Sequence, residues 1–428
     1  MFPLFMVLVF VENVTNRLQY TFDFIFKIRG VDYSFTLNKK EFIDSKETKL
    51  NYSNFNLDSS PTIIPSVLLF EEGITEQELG KSNFENEDCL SIKGVVDPIA
   101  SVFYILTRYE EYSCLITDKH GRFPYDQSIL NSFNWVEKAK CDRWSESIIE
   151  FCGVDLSLIS RSIEILPTFD IDNTYAYKLK EGKRNFLSRL KDTFRGETKR
   201  LVERKDVLNG GVDPYDTFSK IKDIAGRFNN TKIFWLIGKL SKFDRNISIE
   251  NEKHKELIRE IGHSVEINLH PSYASNSRLE FIEEEKIVLE SVLKRKINSS
   301  RQHFLKLRLP LTFQVLEDAG FQNEYSMGFA ENVGFRCGTA RPHLWFDLWA
   351  NFPSELTIHP LVYMDGSLNE YMKLSIDESK VKISELYAEV KKYGGEFTFL
   401  WHNETIGDYG HWKGWSAVLE HTLNLGHE

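Results

Sequence analysis

A chain of 428 residues exceeds what one hydrophobic core usually supports, so we expect two domains. Its net charge of −10 argues against sequence-independent nucleic-acid binding, which requires a positive surface. The five cysteines are scattered and lack CxxC spacing, which is typical of reduced thiols and predicts a cytoplasmic protein. No apolar run is long enough to predict a transmembrane segment.

The first 155 residues predict a smaller α/β domain. The apolar run at residues 2–11 has no basic residue before it and no small-residue cleavage site after it, which favours a buried strand followed by a helix over a signal peptide. Residues 97–112 predict a helix, because Asp97 can cap it and Pro98 suits its first turn. We find no cluster of catalytic or metal-binding residue types in this region.

From residue 156 onward, predicted strands alternate with predicted helices. The strands are expected at residues 163–172, 232–238, 263–270 and 396–403. The helices are expected at residues 178–206, 216–228, 253–262, 277–297, 310–320 and 383–395. Repeated βα units predict a parallel sheet or a closed barrel, with a site at the carboxyl ends of the strands.

Two of these helices carry further expectations. The helix at 277–297 would turn Phe281, Val288 and Val292 toward the core. The stretch 178–206 holds eleven Lys or Arg against five acids, which is typical of a solvated helix face. A flap that attracts an anionic polymer or a membrane surface is the alternative.

Polar side chains stand at the ends of three predicted strands. Asp170 and Asp172 lie in "TFDID", His270 lies in "EINLHPSY" and His402 lies in "FLWHNE". Two carboxylates this close disfavour each other unless a cation or a shared proton lies between them. Aspartate and histidine together are a typical ligand set for zinc, and a second carboxylate beside them could act as a base.

The order of these motifs, together with "KIFWLIG" and "SRQHFLKLRLP", resembles the polysaccharide deacetylase family, the NodB-homology group also called carbohydrate esterase family four. The resemblance implies an α/β fold with a distorted (β/α) barrel over residues 156–428. The segments "RYEEY", "HGRFP" and "DRW" resemble an accessory α/β domain that precedes the barrel in some bacterial members, here residues 1–155. The implied activity is metal-dependent removal of acetyl groups from N-acetylated or O-acetylated sugars of a polysaccharide or glycan precursor.

The resemblance implies three catalytic roles. Asp170 matches the general base and Asp172 a metal ligand, although Ile171 separates two aspartates that are usually adjacent in the family. Arg301 matches the arginine that orients the base. His402 matches the late histidine that protonates the leaving amine.

The implied metal ion is divalent, most simply zinc, and its third ligand is the open question. His270 matches the first histidine of the family's HxxxH motif, but Ala274 stands where the second is expected. His303, in the arginine segment, is our preferred replacement. His263 is the alternative, although an odd separation of seven residues from His270 places it on the other face of a strand.

The expected partner is a carbohydrate substrate. Trp401 is predicted to stack on a sugar, and Glu404 to form a polar wall. Tyr273 and Arg336 are further predicted substrate contacts, Arg336 through the loop "GFRCGTARPHLWFD", whose tryptophans could equally pack in the core.

Two other functions stay open at the sequence level. A barrel that has lost its metal could bind glycans or a partner protein without catalysis, and Ala274 favours this alternative. A glycoside hydrolase would instead pair Asp170 with a second acid such as Asp365 or Glu404, about 5–10 Å away.

Overall fold

The N-terminal part of the chain contains two small sheets. The computed structural model describes residues 6–57, 59–180, 190, 193–194 and 196–427. The first sheet is parallel in the order β2-β1-β3 and comprises β1 (Met6–Val11), β2 (Asp32–Thr36) and β3 (Thr48–Tyr52). The second is antiparallel and comprises β4 (Leu79–Phe84), β5 (Glu87–Ile92) and β6 (Val95–Val96). Strand β1 is buried along nearly its whole length, as expected for a parallel strand covered on both faces.

Six helices cover these sheets within the described residues. They are α1 (Asn16–Ile25), α2 (Lys39–Asp44), α3 (Pro98–Leu106), α4 (Tyr109–Ser113), α5 (Ile129–Ser132) and α6 (Lys140–Phe151). The predicted cap is confirmed, because the Asp97 side chain accepts hydrogen bonds from the first-turn amides of α3. The single helix predicted over 97–112 is wrong in one respect: it breaks at Arg108, which has a φ of 54°. The Arg108 guanidinium is buried in ion pairs with Glu110 and Glu111, and these contacts favour the break over a continuous helix.

The rest of the chain is built on a sheet of nine strands. These are β7 (Ile163–Ile171), β8 (Lys232–Leu236), β9 (Glu266–His270), β10 (Ser299–Ser300), β11 (Asn323–Glu324), β12 (His343–Asp347), β13 (Phe352–Ile358), β14 (Tyr363–Met364) and β15 (Gly395–His402). Their order is β12-β13-β11-β10-β9-β8-β7-β15-β14. All neighbours are parallel except β12 and β13. The α/β architecture is confirmed, whereas closure into a barrel stays a prediction, since no pairing joins β12 to β14 among the described residues.

Helices connect most of these parallel strands. They are α7 (Thr198–Leu208), α8 (Phe218–Arg227), α9 (Glu252–Gly262), α10 (Leu279–Leu293), α11 (Leu311–Asp318), α12 (Ile376–Tyr393) and α13 (Ser416–Asn424). In α10 Val292 is buried as predicted and Val288 is partly buried against the core, whereas Phe281 is exposed and Ile282 takes the buried position beside it. Most of the basic stretch before α7 (residues 181–189, 191–192 and 195) lies outside the described residues. No helix in the described part of the chain is long and apolar enough to cross a membrane.

The N-terminal and C-terminal parts of the chain each have a hydrophobic core. One packs residues between Val7 and Ile159, and the other packs residues between Ile165 and Leu425. The groups are not strictly separate, because Phe346 of β12 packs with the first group. The predicted domain boundary after residue 155 therefore stays a prediction, and the two parts are in extensive contact.

Candidate metal and catalytic site

The carboxyl ends of the parallel strands bring the predicted polar residues together. Asp170 near the end of β7 is paired in register with His402 at the end of β15. His270 ends β9, which is the second strand from β7. Asp172 follows β7 directly, and His303 follows β10 by three residues. All five side chains line one cavity of about 450 Å³.

Asp172, His270 and His303 form a compact group of possible metal ligands. One ligand atom from each lies within 4.8 Å of the other two. Oδ1 of Asp172 is 3.2 Å from Nε2 of His270, and its Oδ2 is 3.3 Å from Nε2 of His303. One carboxylate and two imidazoles that converge on a point are a donor set that zinc and similar divalent ions accept.

The second nitrogen of each imidazole is held by a hydrogen-bond acceptor. Nδ1 of His270 donates to the main-chain oxygen of Arg301. Nδ1 of His303 lies 2.9 Å from Oδ1 of Asp244, and a carboxylate can only accept. In its neutral form each ring therefore carries its hydrogen on Nδ1 and turns the lone pair of Nε2 toward Asp172, which is the tautomer that a metal ligand needs.

The donor atoms of this group fit a cation. Oδ1 of Asp172 is buried and accepts no hydrogen bond, although Nε2 of His270 lies close to it. A buried carboxylate oxygen without a hydrogen-bond donor is costly unless another positive group satisfies it. A divalent ion between Asp172, His270 and His303 would satisfy this oxygen and both imidazole lone pairs.

Without a cation, charges within the group compensate one another. Burial raises the pKa of Asp172, but the nearby imidazoles of His303, His270 and His402 outweigh burial and hold it well below its usual range. Burial likewise lowers the pKa of His303, yet Asp172 and Asp244 raise it to about 9. Asp172 is therefore ionised at neutral pH, as a metal ligand has to be.

Asp170 does not belong to the ligand group but lies next to it. Its Oδ2 is 3.5 Å from Nε2 of His270, and its Oδ1 accepts a hydrogen bond of 3.0 Å from Arg301. Arg301 is fully buried, donates through Nε to the main-chain oxygen of Tyr325 and lies over the ring of Phe234. The guanidinium is thus fixed, and it fixes the carboxylate of Asp170 in turn.

His402 is held at the cavity by Asp365. Oδ1 of Asp365 lies 2.9 Å from Nδ1 of His402, and Thr405 donates to Oδ2 at 2.6 Å. Nε2 of His402 faces the ligand group, 3.9 Å from Oδ2 of Asp172. Burial lowers the pKa of His402, but the carboxylates of Asp365, Asp172 and Asp170 outweigh it and raise the pKa well above its ordinary value. The surrounding carboxylates therefore favour the protonated form of this histidine.

Ala274 lies outside this arrangement. Its side chain is exposed and lines a different cavity, with Phe281 and Glu285. His263 is exposed at the end of α9 and is not part of the ligand group. His303 is the histidine that the structure brings to Asp172 and His270.

The three predicted substrate contacts do not line the cavity. Trp401 is fully buried and donates to the hydroxyl of Tyr363, which does not fit the predicted stacking on a sugar. Arg336 is buried against Glu111 of α4, so its guanidinium is a structural ion pair. Tyr273 packs in an aromatic group behind the loop of His303. Glu404, in contrast, does line the cavity as predicted.

Sequence reasoning missed several residues of the site. Asp244 lies in a loop without a motif, and Arg122 lies in "HGRFP", which was assigned to the accessory domain and not to the site. Asp365 was considered only as an acid of the alternative glycoside hydrolase, not as the partner of His402. Tyr371 and Trp412 line the cavity as well and come from short turns beside it.

Comparison with protein families gives a match in the N-terminal part of the chain. Residues 7–152 match a family described as a family of unknown function, DUF7033. No curated protein matches the chain.

Solved structures resemble about three fifths of the chain. A protein described as a polysaccharide deacetylase, from Mycobacterium smegmatis, is 15% identical with a TM-score of 0.41, over 62% of this chain and 84% of that one. A polysaccharide deacetylase from Bacillus cereus is 10% identical with a TM-score of 0.30, over 62% and 89%. A third, described as a polysaccharide deacetylase of Pseudomonas aeruginosa PAO1, is 10% identical with a TM-score of 0.35, over 62% and 85%. All three TM-scores lie below 0.5, so the function has to be supported by the geometry of the site itself.

Proposed function

We propose that this chain is a metal-dependent hydrolase that removes acetyl groups from N-acetylated sugars of a polysaccharide or glycan precursor. One observation carries the proposal. Asp172, His270 and His303 converge on a point, and Asp170 and His402 lie beside this group in the same cavity. A ligand group beside a fixed carboxylate and a fixed imidazole is what metal-assisted hydrolysis of an amide requires.

Asp172, His270 and His303 would hold the divalent ion, and zinc suits a set of two nitrogens and one oxygen. When bound, such an ion polarises an amide carbonyl and lowers the pKa of water toward about 7. Nδ1 of each histidine is held by a main-chain or carboxylate oxygen, so the rings need no rearrangement to accept the ion.

Asp170 takes the proton of the attacking water in this proposal. The water oxygen forms a bond to the acyl carbon while Asp170 accepts the proton on the oxygen that Arg301 leaves free. The hydrogen bond from Arg301 keeps the carboxylate pointed into the cavity. This arrangement gives the two neighbouring aspartates different tasks, since Asp172 binds the cation and Asp170 moves a proton.

His402 delivers a proton to the leaving nitrogen. The carbon–nitrogen bond breaks as Nε2 of His402 gives its proton to the amine, so acetate and a free amino sugar are the products. Asp365 accepts from Nδ1 and keeps the donor nitrogen directed at the cavity. His402 and Asp170 end neighbouring strands, which brings acid and base into the same cavity.

The walls of the cavity favour a sugar as the group that carries the acetyl. Aromatic side chains line it, namely Tyr215, Phe304, Tyr371, Tyr409 and Trp412. Tyr371 is 43% exposed, so its ring is available to the apolar face of a pyranose. Carboxylates of Glu370 and Glu404 alternate with these rings and could accept from sugar hydroxyl groups.

The test is acetate release from defined N-acetylglucosamine oligomers by purified, zinc-loaded protein. We expect Asp170→Asn to lower the rate roughly 100-fold or more without loss of metal, because Asp170 is not a ligand. Asp223→Asn, at an exposed position on α8, is the matched control and should be fully active.

Three results would overturn the proposal. Undiminished activity of the Asp170→Asn variant would show that Asp170 is not the general base. Reducing ends in place of acetate would identify a glycoside hydrolase, and purified protein that binds no divalent ion would identify a binding protein without catalysis. Acetate released only from O-acetylated sugars would redirect the specificity from amides to esters.

A further inference from the structure

The N-terminal part of the chain reaches the cavity through one turn, residues 118–122. Asp118 closes this turn, because its Oδ1 accepts hydrogen bonds from the amides of His120 and Arg122 at 2.8 and 2.9 Å. Gly121 has a φ of 77°, a conformation that suits glycine. The turn is therefore rigid, and it lies within residues 7–152, which match the family of unknown function.

The turn directs the Arg122 side chain into the C-terminal part. Oδ2 of Asp118 binds the guanidinium through Nε at 2.8 Å and Nη2 at 2.7 Å. Nη1 then donates to the main-chain oxygen of Phe304 at 2.8 Å. Arg122 is only 6% exposed, and it lines the same cavity as Asp172 and His303.

Phe304 follows His303 directly and occupies a strained stretch of backbone. Phe304 and Leu305 have φ angles of 63° and 50°, in the left-handed region that side chains with a Cβ disfavour. Two such residues in succession persist only where the surroundings hold them. The bond from Arg122 to the Phe304 oxygen is one of these restraints, and the His120 ring, 4.8 Å from the Phe304 ring, is another.

We propose that Arg122 is a positioning residue that holds the 303–305 loop so that Nε2 of His303 faces Asp172 and His270. This inference rests on the proposed metal-binding role of His303. Asp118 already neutralises the charge of the Arg122 guanidinium. We therefore assign Arg122 the role of holding the loop through the main-chain oxygen of Phe304. The N-terminal part is thus a structural component of the site, supplying a side chain that the C-terminal part lacks at this place.

The test measures metal binding, independently of catalysis. Wild type, Arg122→Ala and Arg143→Ala are stripped of metal, and zinc affinity is determined by competition with a chelator. Arg143 is the matched control, because it also joins the two parts, through Glu389 at 2.7 Å, but does not line the cavity. We expect Arg122→Ala to bind zinc about 10-fold to 100-fold more weakly, the range found when a partner of a ligand is lost, and Arg143→Ala to match wild type.

The visible absorption spectrum of the Co²⁺-loaded protein gives a second readout, since it reports the geometry of the ligands. We expect an altered spectrum for Arg122→Ala, partial return toward wild type in Arg122→Lys, which keeps one donor, and no change in Arg143→Ala. If the alanine variant does not fold, Arg122→Gln replaces it and is judged by the same measures.

Unchanged affinity and spectrum in the Arg122 variants would overturn the inference while the proposed function stands. Equal weakening in Arg143→Ala would also overturn it, because the effect would then come from general loosening of the two parts. Wild type that binds no divalent ion would reject the proposed function and this inference together.

Discussion

Asp244 and Asp172 lie at opposite nitrogens of the same imidazole. Oδ1 of Asp244 is 2.9 Å from Nδ1 of His303, and Oδ2 of Asp172 is 3.3 Å from its Nε2. Asp244 is buried and is itself fixed by the amide of Tyr273 at 2.7 Å. A carboxylate behind a ligating imidazole sets its tautomer and raises its basicity. Asp244 would thus support the ligand set from a loop that bears no recognisable motif.

We therefore expect Asp244→Asn to weaken zinc binding roughly 10-fold to 100-fold. The amide oxygen can still accept from Nδ1 of His303, but it lacks the negative charge that strengthens the ligand. Chelator competition measures the affinity, and Asp223→Asn should leave it unchanged. Wild-type affinity in Asp244→Asn would contradict a supporting role.

Substitution of three histidines should affect metal content differently. His270→Ala and His303→Ala should each lose stoichiometric metal, because each removes one of three protein ligands. His263→Ala should retain it, since His263 is exposed at the end of α9. Metal content after dialysis, determined by mass spectrometry, checks this, and full loading of the His303 variant would remove it from the site.

Restoring a histidine at position 274 should not restore a ligand. Ala274 is exposed and lines another cavity, so the side chain in Ala274→His would point away from Asp172. We expect zinc affinity within twofold of wild type, and we expect Ala274→His to leave the His303→Ala variant without metal. Recovery of metal binding in the double variant would show that residue 274 can reach the site.

Asp365→Asn should lower kcat while leaving metal content intact. Asp365 holds the Nδ1 hydrogen of His402, and an amide could present a donor there and disturb the tautomer. We expect kcat to fall roughly 100-fold or more with little change in KM, because the proton transfer is affected and substrate contacts are not. Asp377→Asn, at an exposed position in the first turn of α12, is the control. A change confined to KM would assign Asp365 to substrate binding instead.

The buried His254 predicts acid sensitivity of the fold. Its Nε2 accepts from the indole of Trp235 at 3.2 Å, and burial lowers its pKa to about 4. The unfolded chain would take up this proton near pH 6.5, so between about pH 6.5 and 4 the unfolded state binds more protons. Stability should therefore fall as the pH drops through this window, by up to about 3 kcal/mol for this residue. Thermal unfolding midpoints from pH 7 to 4 should decline less steeply for His254→Gln than for wild type, and equal slopes would contradict the assignment.

The strand ends that carry Asp170, His270 and His402 were predictable, because each follows a run of apolar, strand-forming residues. The strands β10, β11 and β14 hold two residues each, which is too short for any periodicity. Asp244, which acts through a long-range contact, carried no local signal, and the "HGRFP" segment that holds Arg122 gave no indication of a contact with the site.

The alternation of side chains along a strand explains why Trp401 does not line the cavity. Successive side chains of a strand point to opposite faces, so Trp401 and His402 cannot both face the cavity. His402 lines it, and Trp401 lies in the core. Once His402 is assigned to the site, the sequence pattern alone is sufficient to place Trp401 on the other face of the strand.

The pairing of β15 with β7 has a consequence for how the chain is made. Their ladder runs from Gly395 and Ile163 to His402 and Asp170, with more than 200 residues between the two strands. During synthesis β7 has no partner on this side until residue 395 and those after it have left the ribosome, and contacts this distant in sequence form slowly. A transcript that stops short of that point would yield a product with an open apolar strand edge at its centre, which invites association with other nascent chains.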